Sequence, residues 1–169
     1  VNIAGVREAG IFSLVTTVLK LIPLVIIGTI GLFFVEAKIL PPMNPGTTNS
    51  AYLFASAFAL TFWMFVGIEA ATVPSEDVES PEKTIPKALI TGTLTIAAVY
   101  LLVTFAVVGM LPAHQLSDSA SPLADAGVRM AGSWAGMAVT VGALVSIIGA
   151  FNVTLLAAGQ TAMAAARDR

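Results

Sequence analysis

The chain has 169 residues, of which 57% are hydrophobic and 11% are charged, and its mean hydropathy is +0.91. Soluble domains carry roughly a quarter charged residues, so this composition excludes a water-soluble globule and favours a surface that faces lipid. The formal net charge of -2 leaves no basic stripe, and we expect no nucleic-acid partner. With no cysteine and one histidine, we expect no disulfide, no metal site and no cofactor.

Long apolar runs dominate the chain, and each is long enough to cross ~30 Å of hydrocarbon as a helix. The predicted spans are residues 11–35, 52–73, 84–111 and 131–158. The second span contains Gly67 and Glu69, and we expect it to be interrupted near residues 64–69. A polar segment before the fourth span predicts a short interfacial helix at about 121–130. The predicted fold class is all-α, a polytopic transmembrane helix bundle.

Basic residues near the ends of the predicted spans are distributed unevenly between the two sides of the membrane. The side that both chain ends share holds Arg7, Lys83, Lys87, Arg167 and Arg169, against Lys38 and Arg129 on the other. Because cytoplasmic loops are enriched in Lys and Arg, both ends are predicted to be cytoplasmic. Since the chain starts without an initiator methionine and without a leader, we also expect an internal piece of a longer protein.

Small residues form a stripe on the fourth predicted span. Gly142, Ser146 and Gly149 share one helix face, and Gly132 and Gly136 have the spacing of a GxxxG pair. Small faces let helices approach closely in lipid, so plain helix packing is the favoured interpretation of this stripe.

Two charged side chains lie inside predicted spans, where a charge costs roughly 2.5 to 3.5 kcal/mol on insertion scales. Glu69 is either a gating or substrate-facing carboxylate or a residue near the cytoplasmic interface that reaches water. Lys20 precedes Pro23, whose ring can kink the first span. Burial favours neutral lysine, so Lys20 could carry a proton or replace a bound cation, or its stem could extend to the membrane surface. Its depth favours the functional interpretation.

Trp63 lies in the middle of the second predicted span, away from the interface where tryptophan usually anchors. Its ring either offers a face to a cationic or apolar ligand or packs in the core. Trp134 is more simply an interface anchor, and His114 is a solvated loop residue. Motifs of soluble enzymes such as GxSxG, HExxH and GxGxxG are absent from the sequence, and the protein is not expected to be an enzyme.

Several passages resemble transporters of the amino acid-polyamine-organocation superfamily. Residues 63–71, Trp-Met-Phe-Val-Gly-Ile-Glu-Ala-Ala, are similar to the interrupted sixth span of that family. Residues 78–88, Val-Glu-Ser-Pro-Glu-Lys-Thr-Ile-Pro-Lys-Ala, resemble its acidic, proline-bearing loop before the seventh span. Residues 121–125, 158–162 and 165–168 agree as well, in family order. The nearest likeness is to the basic amino acid and polyamine antiporters, including the arginine/agmatine exchanger.

The resemblance implies that the spans are the fifth to eighth of about twelve in a leucine-transporter-like fold built from inverted repeats. It also implies a gating or pH-responsive role for Glu69 and, with Lys20 near the position of a sodium site, transport without sodium. Thr154 stands where the arginine/agmatine exchanger has tryptophan, so the resemblance does not imply stacking on a guanidinium at this position. The substrate-binding residues that the resemblance implies are Trp63, Met64, Val66, Gly67 and Thr154.

The leading hypothesis is secondary active transport of an amino acid or polyamine by alternating access, through antiport or proton coupling. The alternative is a non-transporting membrane scaffold or receptor domain. That alternative would explain small-residue helix faces but not a Gly-Ile-Glu break beside Trp63. The expected partners are the substrate and the bilayer of the cell membrane, and a homodimer stays open.

Overall fold

The computed structural model describes residues 6–41, 49–63, 67 and 78–167, and these residues are helical over most of their length. The elements are α1 (Val6–Ile30), a 3-10 turn (Gly31–Phe34), α2 (Ser50–Trp63), α3 (Pro81–Met110), α4 (Ala113–Asp118), α5 (Pro122–Ala131) and α6 (Ser133–Arg167). No strand occurs among the described residues. The predicted all-α fold class is confirmed.

Three of these helices are long and apolar enough to cross a membrane. The qualifying stretches are Glu8–Phe34, Pro81–Met110 and Ser133–Arg167, while α2 is a shorter apolar helix. Many of their large apolar side chains are exposed in this chain, such as Leu14 at 65% and Leu101 at 73%. Such surface is unfavourable in water and suits lipid or further membrane helices. The helices therefore form a polytopic membrane bundle.

The helix ends differ from the predicted span limits. α1 begins before residue 11, and α6 continues beyond residue 158 to Arg167. A helix keeps its internal hydrogen bonds in water as well as in lipid, so helix ends do not mark the membrane boundary, and the span limits stay predictions. α4 was not predicted, because a six-residue helix is too short to show an apolar period.

The buried core lies around the last turns of α3. Ile27 of α1 and Ala126 of α5 pack against side chains of α3 and its C-terminal cap: Val103, Ala106, Val107, Met110 and Leu111. Lipid tails are as apolar as these side chains, so close van der Waals packing stabilises the contact inside a membrane. The core fixes the ends of α1 and α3 against α5.

The region after the 3-10 turn is tied to α3 and α5 by polar contacts. The Glu36 backbone N-H donates to the Gly109 carbonyl at 3.0 Å, and the Arg129 guanidinium of α5 pairs with the Glu36 carboxylate at 2.5 Å. Gly132, with a φ of +83°, separates α5 from α6. α5 thus occupies the place of the predicted short helix, as an element distinct from α6.

Candidate functional site

α2 is described from Ser50 to Trp63, and residues 64–66 lie outside the described part of the chain. Gly67, the next described residue, lies in a turn with a φ of +99°. This left-handed backbone favours glycine. A left-handed glycine inside an apolar run supports the predicted interruption of this span.

Only part of the expected substrate site falls within the described residues. Met64, Val66 and Glu69 lie outside them, and so does the side chain of Trp63. Thr154 is exposed on α6, and its hydroxyl donates to the Ala150 carbonyl at 3.0 Å. The interruption near residues 64–69 and the roles of these residues in binding stay predictions.

Lys20 lies on the face of α1 that packs against α6. Ala9, Ser13, Thr16 and Lys20 follow one another at alternating spacings of four and three, which places them on one helix stripe. Ala9 and Thr16 are buried, whereas Ser13 and Lys20 are half-buried. Within the described residues, no ion pair or hydrogen bond involves Lys20.

Two glycines of the fourth predicted span bring α6 close to α1. A Cβ added at Gly149 would lie 2.7 Å from Oγ1 of Thr16, and one added at Gly142 would lie 3.0 Å from Cγ of Pro23. The packing interpretation of the small-residue stripe is therefore confirmed at these two positions. Because Thr16 faces Gly149 and Pro23 faces Gly142, the two helices run antiparallel.

The position of Lys20 along the contact between α1 and α6 follows from the two glycine contacts. It lies about midway between Thr16 and Pro23, and Ser146 lies about midway between Gly149 and Gly142. Ser146 is half-buried on α6. Lys20 and Ser146 are therefore level with one another along the antiparallel pair.

Within the described part of the chain, Asn152 is one of two buried polar residues, with Thr16, that were not predicted from the sequence. It is 7% exposed, and its Nδ2 donates to the Ala9 carbonyl at 3.3 Å and to Oγ of Ser13 at 3.1 Å. The signal in the sequence was an amide inside an apolar window, one helical turn after Gly149. We call the whole contact the α1–α6 seam, formed by Ala9, Ser13, Thr16, Lys20, Pro23, Gly142, Ser146, Gly149 and Asn152.

A concave region lies between α4 and α5. An open cleft of about 520 Å³ is lined by residues that include His114, Asp118, Asp125 and Arg129. The Ser119 hydroxyl donates to the Asp125 carboxylate at the start of α5. Among the described residues, no group of three or more His, Cys, Asp and Glu is placed to hold a metal ion. The cleft contains polar groups on both helices but no metal-binding cluster within that part of the chain.

Comparison with known families decides what kind of protein carries this geometry. A family model described as amino acid permease matches residues 1–169. The chain belongs to the amino acid permease family. The resemblance to the amino acid-polyamine-organocation superfamily is thereby confirmed.

Two curated relatives also agree with the resemblance to basic amino acid and polyamine antiporters. The chain is 28% identical over 169 residues to the cadaverine/lysine antiporter of Escherichia coli (strain K12), covering 99% of this chain and 38% of the relative. It is 32% identical over 130 residues to the putrescine transporter PotE of the same strain, covering 76% of this chain and 30% of the relative. The chain thus spans well under half the length of these relatives. Both relatives are named for basic or polyamine solutes.

Proposed function

We propose that the protein containing this chain moves amino acids or polyamines across the cell membrane by alternating access, as an antiporter or a proton-coupled transporter. The observation that carries the proposal is the left-handed turn at Gly67 inside an apolar run, in a chain matched throughout by an amino acid permease family model. The names of the two relatives point to diamines and basic amino acids as the substrate class. Binding energy, rather than covalent chemistry, drives such a cycle, so no enzymatic activity is proposed.

The proposed substrate site lies between the break after α2 and α6. A broken helix presents backbone groups to a ligand, and in this proposal Trp63, Met64, Val66 and Gly67 line that side. Thr154 contributes from α6. Asn152 is buried against α1, and Thr154 is about 200° further round the helix, so Thr154 faces away from α1.

Lys20 and Glu69 are the proposed coupling and gating residues. Half-burial of Lys20 on the α1–α6 seam, level with Ser146, supports a role inside the bundle over free extension to the membrane surface. A lysine ammonium held there supplies the positive charge that a sodium ion would otherwise supply, which supports transport without sodium. In this proposal Glu69, which follows Gly67 in the sequence, responds to substrate or protons.

The proposed orientation has both ends of the chain in the cytoplasm. The ion pair between Glu36 and Arg129 supports part of this arrangement, because it joins two segments that the charge distribution assigns to the same, outer side. A homodimer is compatible with the exposed apolar faces and is proposed only as one form of assembly.

Uptake by the reconstituted full-length protein tests the proposed function. Labelled cadaverine, putrescine, lysine, arginine and alanine are offered to proteoliposomes with and without sodium, and with and without lysine inside. We expect saturable uptake of a diamine or basic amino acid that is independent of sodium and stimulated by internal substrate. Absence of uptake and binding for every solute would contradict transport and favour the scaffold.

The same assay tests the coupling residues. Lys20→Ala and Glu69→Ala are expected to change the rate or the pH dependence of uptake, because each removes a charge from inside the bundle. Lys38→Ala is the matched control, since Lys38 is an exposed basic residue beyond the 3-10 turn. If Lys20→Ala and Lys38→Ala behave alike, the proposed role of Lys20 is wrong.

A further inference from the structure

Asn152 places an amide inside the α1–α6 seam, where water does not reach. Its Nδ2 donates across the seam to the Ala9 carbonyl and to the Ser13 hydroxyl, at 3.3 and 3.1 Å. Removing a polar group from its hydrogen-bond partners in an apolar medium is costly. Separation of α1 from α6 at this level would expose the amide to hydrocarbon and is therefore unfavourable.

The glycine contacts oppose sliding of the two helices. A slide of α6 by one turn would replace Gly149 opposite Thr16 with a residue that carries a side chain, such as Val145 or Val153. The space for a Cβ is absent there, since Oγ1 of Thr16 lies only 2.7 Å from the position that the Cβ would take. From Gly142 to Asn152 the seam extends along about 15 Å of α6, so the restraint acts over several turns.

We propose that Asn152 is a positioning residue that holds α6 on α1, so that the two helices move as one rigid unit throughout the transport cycle. The proposal rests on the proposed transport function. Asn152 faces α1, whereas Thr154 lies on the opposite side of α6. Asn152 therefore affects the proposed substrate site indirectly, by fixing the orientation of α6 about its own axis. Through this contact the relative placement of Lys20 and Thr154 stays constant while other parts of the protein move.

A disulfide across the seam tests the rigid unit directly. The 169 residues contain no cysteine, so Thr16→Cys with Gly149→Cys introduces one defined pair in a full-length protein from which any other cysteine has been removed. The Thr16 Cβ and an added Cβ at Gly149 lie 3.0 Å apart, and a small shift brings them to the ~3.5–4.5 Å of a disulfide. In the full-length protein, we expect the oxidised pair to take up labelled putrescine as fast as the reduced pair.

Each single cysteine variant, treated with the same oxidant, is the control for the disulfide test. Uptake that is lost on oxidation of the pair and restored by reduction would overturn the rigid unit, because the helices would then have to part during transport. Failure of the pair to form a disulfide at all would contradict the contact on which the proposal depends.

Transport kinetics test the role of the amide. We expect Asn152→Leu to raise the KM for putrescine about threefold, the average effect of one interhelical hydrogen bond in a membrane. Ser13→Ala should raise KM no further in the Asn152→Leu background, because Asn152→Leu already removes the hydrogen bond to the Ser13 hydroxyl. Thr140→Val is the control, since the Thr140 hydroxyl donates only within α6, to the Gly136 carbonyl.

A merely structural role would lower the amount of folded protein and the maximal rate without changing KM. An unchanged KM in Asn152→Leu, or additive effects with Ser13→Ala, would therefore overturn the positioning role. Failure of the proposed function is a separate result: the wild-type protein would take up none of the solutes, whereas disulfide formation would still report on the seam.

Discussion

At the scale of single residues, Gly132 determines where α5 stops and α6 starts. Its φ of 83° and ψ of -173° fall in a backbone region that is essentially restricted to glycine. The chain changes there from the short helix that carries Arg129 to a helix of membrane-crossing length. One residue without a Cβ thus allows the change of direction between the two.

We expect Gly132→Ala to destabilise the full-length protein by about 1–3 kcal/mol, because alanine must be forced into this backbone conformation. Thermal unfolding in detergent measures the effect. Gly92→Ala is the matched control: Gly92 is within α3, and a Cβ added there meets no described atom within 4 Å. Equal melting temperatures for the two variants would contradict the assignment of strain to Gly132.

Single residues also differ in how far the sequence reveals them. Lys20 and Glu69 could be picked out because a charge in an apolar run is expensive whatever surrounds it. Asn152 gave only a weak signal, an amide inside an apolar window, because a neutral amide becomes informative through its partners, and the Ala9 carbonyl lies 143 residues away along the chain. No local pattern brings these two positions together.

At the scale of helices, apolar length predicted α1, α3 and α6, since a run of this kind is stable as a membrane helix without reference to its neighbours. The second predicted span is different. The apolar run continues past Trp63 to Val73, and the break was expected from the glycine, the glutamate and the family resemblance rather than from hydropathy. α4 has no apolar period and was missed.

The close contact between α1 and α6 gives a prediction about packing. Gly149→Ala should destabilise the protein by about 1–3 kcal/mol, the usual effect of inserting a methyl group into a well-packed contact. Gly159→Ala in the same helix is the control, because a Cβ added there meets no described atom within 4 Å. The melting temperature in detergent should fall for the first variant and stay near wild type for the second.

A further comparison keeps this packing test specific. If Gly149→Ala melts like wild type, the seam must open enough to accept a methyl group, and the close approach to Thr16 would not be required for folding.

At the scale of the whole molecule, the ion pair and the helix order agree on which segments lie on the same side of the membrane. Glu36, which follows α1 and the 3-10 turn, pairs with Arg129 in the last turn of α5. This contact requires the segment after α1 and the segment before α6 to lie on one side of the membrane. The basic residues at the other helix ends predict that this side is the outer one.

We therefore expect Lys38→Cys to react with a membrane-impermeant maleimide in intact cells, and Lys83→Cys to react only after permeabilisation. Both residues are exposed, so accessibility to the reagent depends on the side of the membrane rather than on burial. Labelling is compared with the same full-length protein lacking reactive cysteines. The reverse pattern would invert the proposed orientation.

The α1–α6 seam also has a consequence for the order in which the protein is made. Ala9 and Asn152 are 143 residues apart. At a synthesis rate of about 5–20 residues per second, α6 is therefore completed roughly 7–30 s after α1. During that time the stripe with Thr16 and Lys20 faces lipid or the insertion machinery. A defect in the seam should therefore appear in cells first as degradation of the nascent protein.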